Sequence, residues 1–439
     1  MSMPAMSWGR YPPAQHTREE SPEWRQQLVR AMSGHDTFLA FGLGRSYGDV
    51  CLNDGAGLVR MHRFSHILSF DTTTGVLRAE AGLSIAEMLS VIIPAGWFTP
   101  VTPGTKFVTL GGAVANDVHG KNHHKVGTFG RHVRAFELMR SDGTVMVCSP
   151  TQHVDQYRAT IGGMGLTGII TWVELQLTPI ASRMVEEQSI KARSLQEVVE
   201  LTEEADADWD YTVSWIDVMA SGSSLGKGIL LRGRFSDVAD GSLASPQSSQ
   251  LLRVPFDAPS WVLSRPTIKA FNTLWYNKQL AREHRRHVDL EPFFYPLDAI
   301  GSWNRLYGTR GMLQYQCVVP MQNGVATMKS IIAELQRGAG ASFLAVVKKF
   351  GSHTSPGLMS FPQPGLTLTL DMPNSGRRLF AALDRCDDIV ASVGGRVYAA
   401  KDARIRGDRF ISMYENYSEF VRYIDPRCSS SFWRRIHNR

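Results

Sequence analysis

Four glycine-rich segments lie within the first 170 residues: "GLGRSYGD" (42–49), "TPGTKFVTLGGAVANDVHGKNHH" (102–124), "GTFG" (127–130) and "IGGMGLTGII" (161–170). They restrict the chain to folds in which several loops bring bare backbone together. Glycine lets backbone N–H groups converge on oxygen-rich groups without a Cβ in the way. One such segment would be an ordinary turn. Four, each flanked by short strands, suit one long, multiply phosphorylated ligand threaded between loops. The first does not read G-x-G-x-x-G, because its glycines are Gly42, Gly44 and Gly48. The helix and distal acid of a Rossmann unit are missing too, and no Walker A pattern occurs.

The flanking pattern predicts an α+β chain. "DTFLAFGLGRSYGD" reads as a strand entering a glycine turn. Ile85, Met88, Leu89 and Ile92 recur at helical spacing behind Ser84, with Glu87 completing a capping box. Asp142-Gly143 marks a hairpin turn, and "GLTGIITWVELQLTPI" reads as a strand. "SLQEVVELTEEAD" predicts a helix, and "YTVSWIDVM" and "GKGILLRGRF" predict strands. Three more strands are expected in "GMLQYQCVVP", "SFLAVVKKFG" and "LTLTLDMP", with helices at 324–338 and 376–393. Residues 235–269 are rich in Ser, Pro and Asp and read as a long loop or mobile insertion over an entrance.

With 439 residues, two or three domains are expected. Hydrophobic content of 43% and charged content of 20% exclude a disordered chain. A net charge of +6 favours anionic partners or surfaces only weakly, and the basic runs at 282–287 and in "WRRIHNR" read as solvated faces. Five scattered cysteines with no CxxC argue against a disulfide framework or zinc site and for a reducing compartment. No signal peptide or transmembrane run is visible, so a cytoplasmic or peripheral membrane location is expected. Asp117–His132 holds four of the thirteen histidines. His119 and His123 have helical spacing, but "GKN" is a poor helix interior and Asp117 is a single carboxylate. A metal is not expected there, which leaves exposed loop histidines or the wall of a cofactor pocket.

These segments resemble the flavin-binding half of the vanillyl-alcohol-oxidase, or p-cresol-methylhydroxylase-type, FAD-binding family. "DVHGKNHHKVGTFGRHV", "WNRLYG", "LQYQCVVP", "SFPQPG" and "GGRVYAAKDAR" are similar to the decaprenylphosphoryl-β-D-ribose 2′-oxidases of that group, over about Phe38 to Pro426. The resemblance implies a two-subdomain FAD-binding domain from 1–180 and 395–439, and a substrate domain with an antiparallel sheet from 181–394. It implies pyrophosphate contacts from Gly42, Gly44, Arg45, Ser46, Tyr47, Gly48 and Asp49. Pro103, Gly104, Thr105, Gly111 and Gly112 would pass along the cofactor, and Asn116, Asp117, His119 and Gly120 would line its ring. Gly127 and Thr128 follow, Gly165, Gly168 and Ile169 would serve the adenine end, and Tyr398 and Lys401 would return to the flavin. FAD is expected to be non-covalent, although some relatives bond it to a histidine.

The implied reaction oxidises the 2-hydroxyl of a polyprenyl-phosphate-linked pentofuranose to a ketone, with a short-chain NAD(P)H reductase completing an epimerisation. That step belongs to the making of an arabinose donor for cell-wall or surface polysaccharide. Nucleic acid is not an expected partner. Lys401 and Lys348 suit charge stabilisation, and His119 and Tyr47 suit proton relay. An ion pair with Asp402 is the alternative for Lys401. Gln314 and Gln316, two apart on one strand, would face the sugar together with Thr369. Thr369 stands where the resembled family carries a cysteine, and Leu366 where it carries an aromatic residue. An O2-using oxidase of a free sugar, alditol or lactone, and a non-catalytic flavin- or lipid-phosphate-binding subunit, stay open as alternatives.

Overall fold

Strands up to Gln176 and strands from Met184 onward join different principal sheets. The computed structural model describes residues 5–236, 243, 252–338 and 340–437. Arg18–Glu20, Gly57–Arg60 and Phe38–Phe41 form a parallel three-stranded sheet in that order. An antiparallel five-stranded sheet runs Ile67–Asp71, Val76–Glu80, Ile169–Gln176, Val133–Met139, Val145–Cys148. An antiparallel eight-stranded sheet runs Glu283–Asp289, Met184–Ala192, Gly228–Phe235, Tyr211–Ile216, Ala345–Phe350, Gly365–Pro373, Met312–Val319, Arg396–Val397. The last strand belongs to a segment expected to accompany the first half of the chain. Helices beside antiparallel sheets give the expected α+β class.

Local chemistry accounts for the elements that were legible. The helix Ile85–Ile92 starts where Ser84 Oγ accepts from Glu87 N at 3.1 Å and Glu87 Oε2 accepts from Ser84 N at 2.9 Å. It buries Ile85, Met88, Leu89 and Ile92, each side chain contributing about 2 kcal/mol by leaving water. The hairpin turns at Gly143 (φ 85°), where Asp142 Oδ1 accepts from Thr144 N at 2.8 Å.

Period-two alternation gives the eight-stranded sheet two unlike faces. Leu313, Tyr315, Cys317 and Val319, with Leu366, Leu368, Leu370 and Met372, enter the largest apolar core. The helices Gly324–Arg337 and Arg377–Ser392 cover that core with Met328, Ile331, Leu379 and Leu383. Register carries Gln314, Gln316 and Val318 to the other face, opposite Asp371, Thr369 and Thr367. Val346 and Lys348 join them opposite Thr369 and Thr367.

One expectation needs correction. Residues 265–269 open the helix Arg265–Lys278 rather than continuing a loop. Ser264 occupies its N-cap and Pro266 lies in its first turn, where proline is tolerated. The helix buries only Ile268 and Asn272 fully, so it shows little apolar period. Residues 237–242 and 244–251 of the expected insertion lie outside the described residues. The basic run at 282–287 includes most of an exposed edge strand.

Candidate active site

The first glycine loop is clamped from two sides. Tyr47 N donates to Ala400 O at 2.9 Å and Trp8 N donates to Ser46 O at 2.8 Å. A Cβ on Gly48 would strike the carbonyl of Asp402, and one on Gly42 would lie 2.5 Å from Thr109 Oγ1. The loop therefore touches both the 109–112 turn and the Lys401 segment. Gly44 has φ 62°. The Arg45 guanidinium lies 4.2 Å from the Trp8 ring centroid, and its Nε has no partner among the described residues. Asp49 turns inward, with each oxygen accepting from Arg435 at 2.8 Å.

The second segment wraps against residues 291–298. Lys106 Nζ donates to Glu291 at 2.6 Å, Lys106 N to Asp298 at 2.9 Å, and Thr102 Oγ1 meets Tyr295 Oη at 2.7 Å. These contacts hold Pro103, Gly104 and Thr105 in place. Gly111 and Gly112 open the helix Leu110–Ala115, capped by Thr109. Asp117 sits at φ 40° and is fully buried. Its oxygens accept from Gly130 N at 2.8 Å, from Ser355 Oγ at 2.5 Å and from Ser360 Oγ. Burial raises its carboxyl while these donors oppose the shift. Asp117 thus ties the histidine loop to the 355–360 segment. Gly120 lies against Thr102, and Gly127 (φ 80°) lies against Arg131.

Gly168 packs on Met139 O, Gly165 lies near Leu39, and the Ile169 side chain is in the apolar cluster with Phe38 and Val59. The two glycines allow close approach at these points, and Ile169 fills the apolar cluster.

His119 is the meeting point. Gln316 Nε2 donates to His119 Nε2 at 2.9 Å, and Lys348 Nζ lies 3.3 Å from His119 Nδ1. Burial, then the charge of Lys348, holds the ring's pKa well below its usual value, so it is neutral near pH 7. With Nε2 accepting, Nδ1 carries the ring proton and points at Lys348. Burial, then the charge of Lys401, lowers the Lys348 ammonium to about 7. The His119 ring packs on Phe350 (4.8 Å), Tyr398 (5.9 Å) and Phe361 (6.0 Å). Tyr398 Oη donates to Asn116 O at 2.7 Å. The other histidines go elsewhere: His123 packs on Phe350, His124 bonds Trp209 O, and His132 bonds Val126 O.

Lys401 Nζ lies 4.0 Å from the Tyr47 ring centroid. Burial lowers its pKa and the charge of Asp371 opposes that. Asp371 is fully buried, accepts from Gln314 Nε2 through Oδ1, and has no hydrogen-bond partner at Oδ2 among the described residues. Burial drives its carboxyl upward. Burial and Asp371 together push the Tyr47 hydroxyl well above its usual range, so Tyr47 keeps its proton. The alternative ion pair of Lys401 with Asp402 is overturned. Asp402 Oδ2 accepts from Arg435 at 2.7 Å, and its oxygens also accept from Arg404 N and Ile405 N.

Sequence reasoning missed Asp371, Tyr295, Glu291 and Asp298. Asp371 carried one signal, a carboxylate two residues beyond Thr369 on the same strand face.

Whether these loops fit a dinucleotide can be tested on their polar atoms. Arg45 Nε, Asn116 Oδ1, Asn122 Oδ1, Thr128 Oγ1 and both nitrogens of His123 are buried without partners among the described residues. Buried polar atoms are normally paired, so such a set along the glycine loops suits a large polar ligand. His119, Phe350, Phe361 and Tyr398 offer a wall for a flat ring.

Residues 18–149 match the FAD binding domain family. The decaprenylphosphoryl-beta-D-ribose oxidase of Mycolicibacterium smegmatis is 36% identical over 96% of this chain and 94% of its own length. An uncharacterized Streptomyces coelicolor protein is 31% identical over 78% of this chain and 96% of its own. The L-gulonolactone oxidase of Mus musculus is 26% identical over 40% of this chain and 39% of its own.

Proposed function

The chain belongs to the family of decaprenylphosphoryl-β-D-ribose oxidase: it is an FAD-dependent oxidoreductase, and we propose that it oxidises the 2-hydroxyl of a polyprenyl-phosphate-linked ribofuranose to the 2-keto sugar. The observation that carries the reading is the charged face of the eight-stranded sheet. It sets Lys348, His119 and Gln316 in one hydrogen-bonded chain near Lys401 and Asp371, whose opposite charges act on each other. FAD, when bound, takes the hydride that leaves the sugar carbon. The loops Gly42–Asp49 and 102–130 would hold it, with Arg45, Asn116 and Thr128 supplying unpaired polar atoms.

The residues of the chain then have separable tasks. The uncharged Lys348 amine, held in reserve by the His119 Nδ1–H, accepts the hydroxyl proton when its lone pair turns from that N–H to the sugar. Lys401 stabilises the negative charge growing on the sugar oxygen. Asp371 balances Lys401, and Tyr47 fixes the ammonium over its ring. Gln314 and Gln316 are held at their amide ends and present a hydrogen-bonding edge to the sugar, beside Thr369. Both nitrogens of His119 are engaged by Gln316 and Lys348, which supports non-covalent FAD. In this reading the FAD-binding unit comprises two subdomains from residues 1–180 and 395–439, the substrate unit spans 181–394, and a separate NAD(P)H-dependent reductase converts the ketone to the epimeric alcohol.

Anaerobic mixing tests the reaction. A water-soluble, short-prenyl phosphoryl ribofuranose should bleach the visible flavin band, and free ribose should not. Equal bleaching by ribose or a lactone would transfer the reading to a free-sugar oxidase. No bleaching by any alcohol would leave a non-catalytic flavin protein. Acid precipitation should release the flavin into the supernatant.

A further inference from the structure

Apolar side chains and positive charge are concentrated outside the site, in residues 252–287. Leu274 and Leu280 are 72% and 94% exposed, and Trp261, Phe271 and Trp275 are exposed as well. Along the helix Arg265–Lys278, Phe271, Leu274, Trp275 and Lys278 occupy one arc of about 100° at 3.6 residues per turn. Ile268, Asn272 and Tyr276 face the protein on another. Asn272 Nδ2 donates to Asp217 Oδ1 at 2.8 Å and Tyr276 Oη to Ala192 O at 3.2 Å, so the helix is anchored by polar bonds. Of its outward residues Phe271 also packs on Phe343, while Leu274 points into solvent.

Residues 252–287 contain seven Lys and Arg (253, 265, 269, 278, 282, 285 and 286) against two carboxylates, Asp257 and Glu283. The difference, five positive charges, nearly equals the +6 of the whole chain. Arg282 and Arg286 pair with Glu197 and Glu187. Lys269 and Lys278 form no ion pair among the described residues. No described helix is long and apolar enough to cross a membrane. An exposed helix arc of aromatic and leucine side chains that includes Lys278, with Lys269 elsewhere on the helix surface and a basic edge strand following it, is instead the composition that lies in a lipid interface.

The same helix is linked to the site by rings. Phe271 stacks on Trp275 at 6.0 Å and meets Phe343 edge-on at 5.6 Å, and Phe343 stacks on Tyr307 at 5.9 Å. Tyr307 shares an apolar cluster with Tyr47, the ring beneath Lys401. This row of packed rings runs from the exposed surface to the ring beneath Lys401, and its apolar chemistry suits an isoprenoid chain.

We infer that the helix Arg265–Lys278 and its basic flanks dock the enzyme on an anionic lipid bilayer, from which the aromatic track draws the substrate's lipid tail. The second clause rests on the lipid-linked substrate proposed above; the first rests on the surface alone. The FAD-loaded protein is sedimented with vesicles of phosphatidylcholine, with and without one-third phosphatidylglycerol. Binding should require phosphatidylglycerol and weaken with salt. The variants Leu274→Glu/Leu280→Glu and Lys269→Glu/Lys278→Glu should each bind about tenfold more weakly or worse, with unchanged circular dichroism and flavin spectrum. Wild type that ignores these vesicles, or variants that bind as well as wild type, would overturn the inference. So would a patch that holds two copies together, seen as a dimer that either variant splits while no vesicle binding occurs. Vesicle binding by a protein whose flavin the soluble prenyl substrate cannot reduce would sink the proposed reaction and leave docking standing.

Discussion

The two walls of the site are built on opposite principles. The loop wall, Gly42–Asp49 with residues 102–130, brings polar atoms close and leaves several unpaired among the described residues. The sheet wall, made by the strands from Met312, Ala345 and Gly365, presents titratable groups whose charge burial has disturbed. A wall of unpaired donors and acceptors binds well but, His119 apart, has little to move a proton with. A wall of buried lysines and a carboxylate is costly to maintain and is suited to chemistry. Holding and reacting are thus divided between two surfaces, and variants on the two should fail differently.

The sharpest division should come from Lys401→Met. Rapid-reaction spectroscopy should show flavin reduction slowed about a thousandfold, with flavin content unchanged. Loss of the flavin instead would place Lys401 in the holding wall. Lys348→Met should slow reduction about a hundredfold. In wild type the rate should rise with pH through about 7, where the amine loses its proton, and that limb should vanish in the variant. Stability follows the same group. A lysine depressed from 10.5 to about 7 binds fewer protons folded than unfolded between those values, so stability should climb across that window. Melting temperature against pH should climb less steeply in Lys348→Met. On the other wall, Gly42→Val should weaken FAD binding about tenfold, because its side chain meets Thr109; flavin titration measures this, and reduction of the flavin that remains bound should be near normal. The smallest effect belongs to Thr369→Cys. It should change the rate by less than about threefold while creating a site for thiol-directed reagents, read by mass spectrometry, that wild type lacks.

The same division explains what the sequence revealed. The loop wall was legible because glycine spacing and caps are local. Ser84 with Glu87, Asp142-Gly143 and the Gly42–Asp49 run each state their geometry within a few residues. The sheet wall was legible only strand by strand. Alternation put Gln314 and Gln316 on one face, but Asp371 is their neighbour through a register that spans 57 residues. Likewise Tyr295, Glu291 and Asp298 brace the 102–106 turn across nearly two hundred positions, where no periodicity reports it. The helix Arg265–Lys278 stayed hidden because it buries too thin a stripe.

The Arg435 clasp has a consequence in time. It joins Asp49 and Asp402, separated from it by 386 and 33 positions, and so pins the turn that carries Lys401 against the first glycine loop. Closing contacts of such span costs chain entropy and slows folding. A molecule in which the clasp has not closed would leave the Lys401 turn free of the first glycine loop, with the reactive amine out of place.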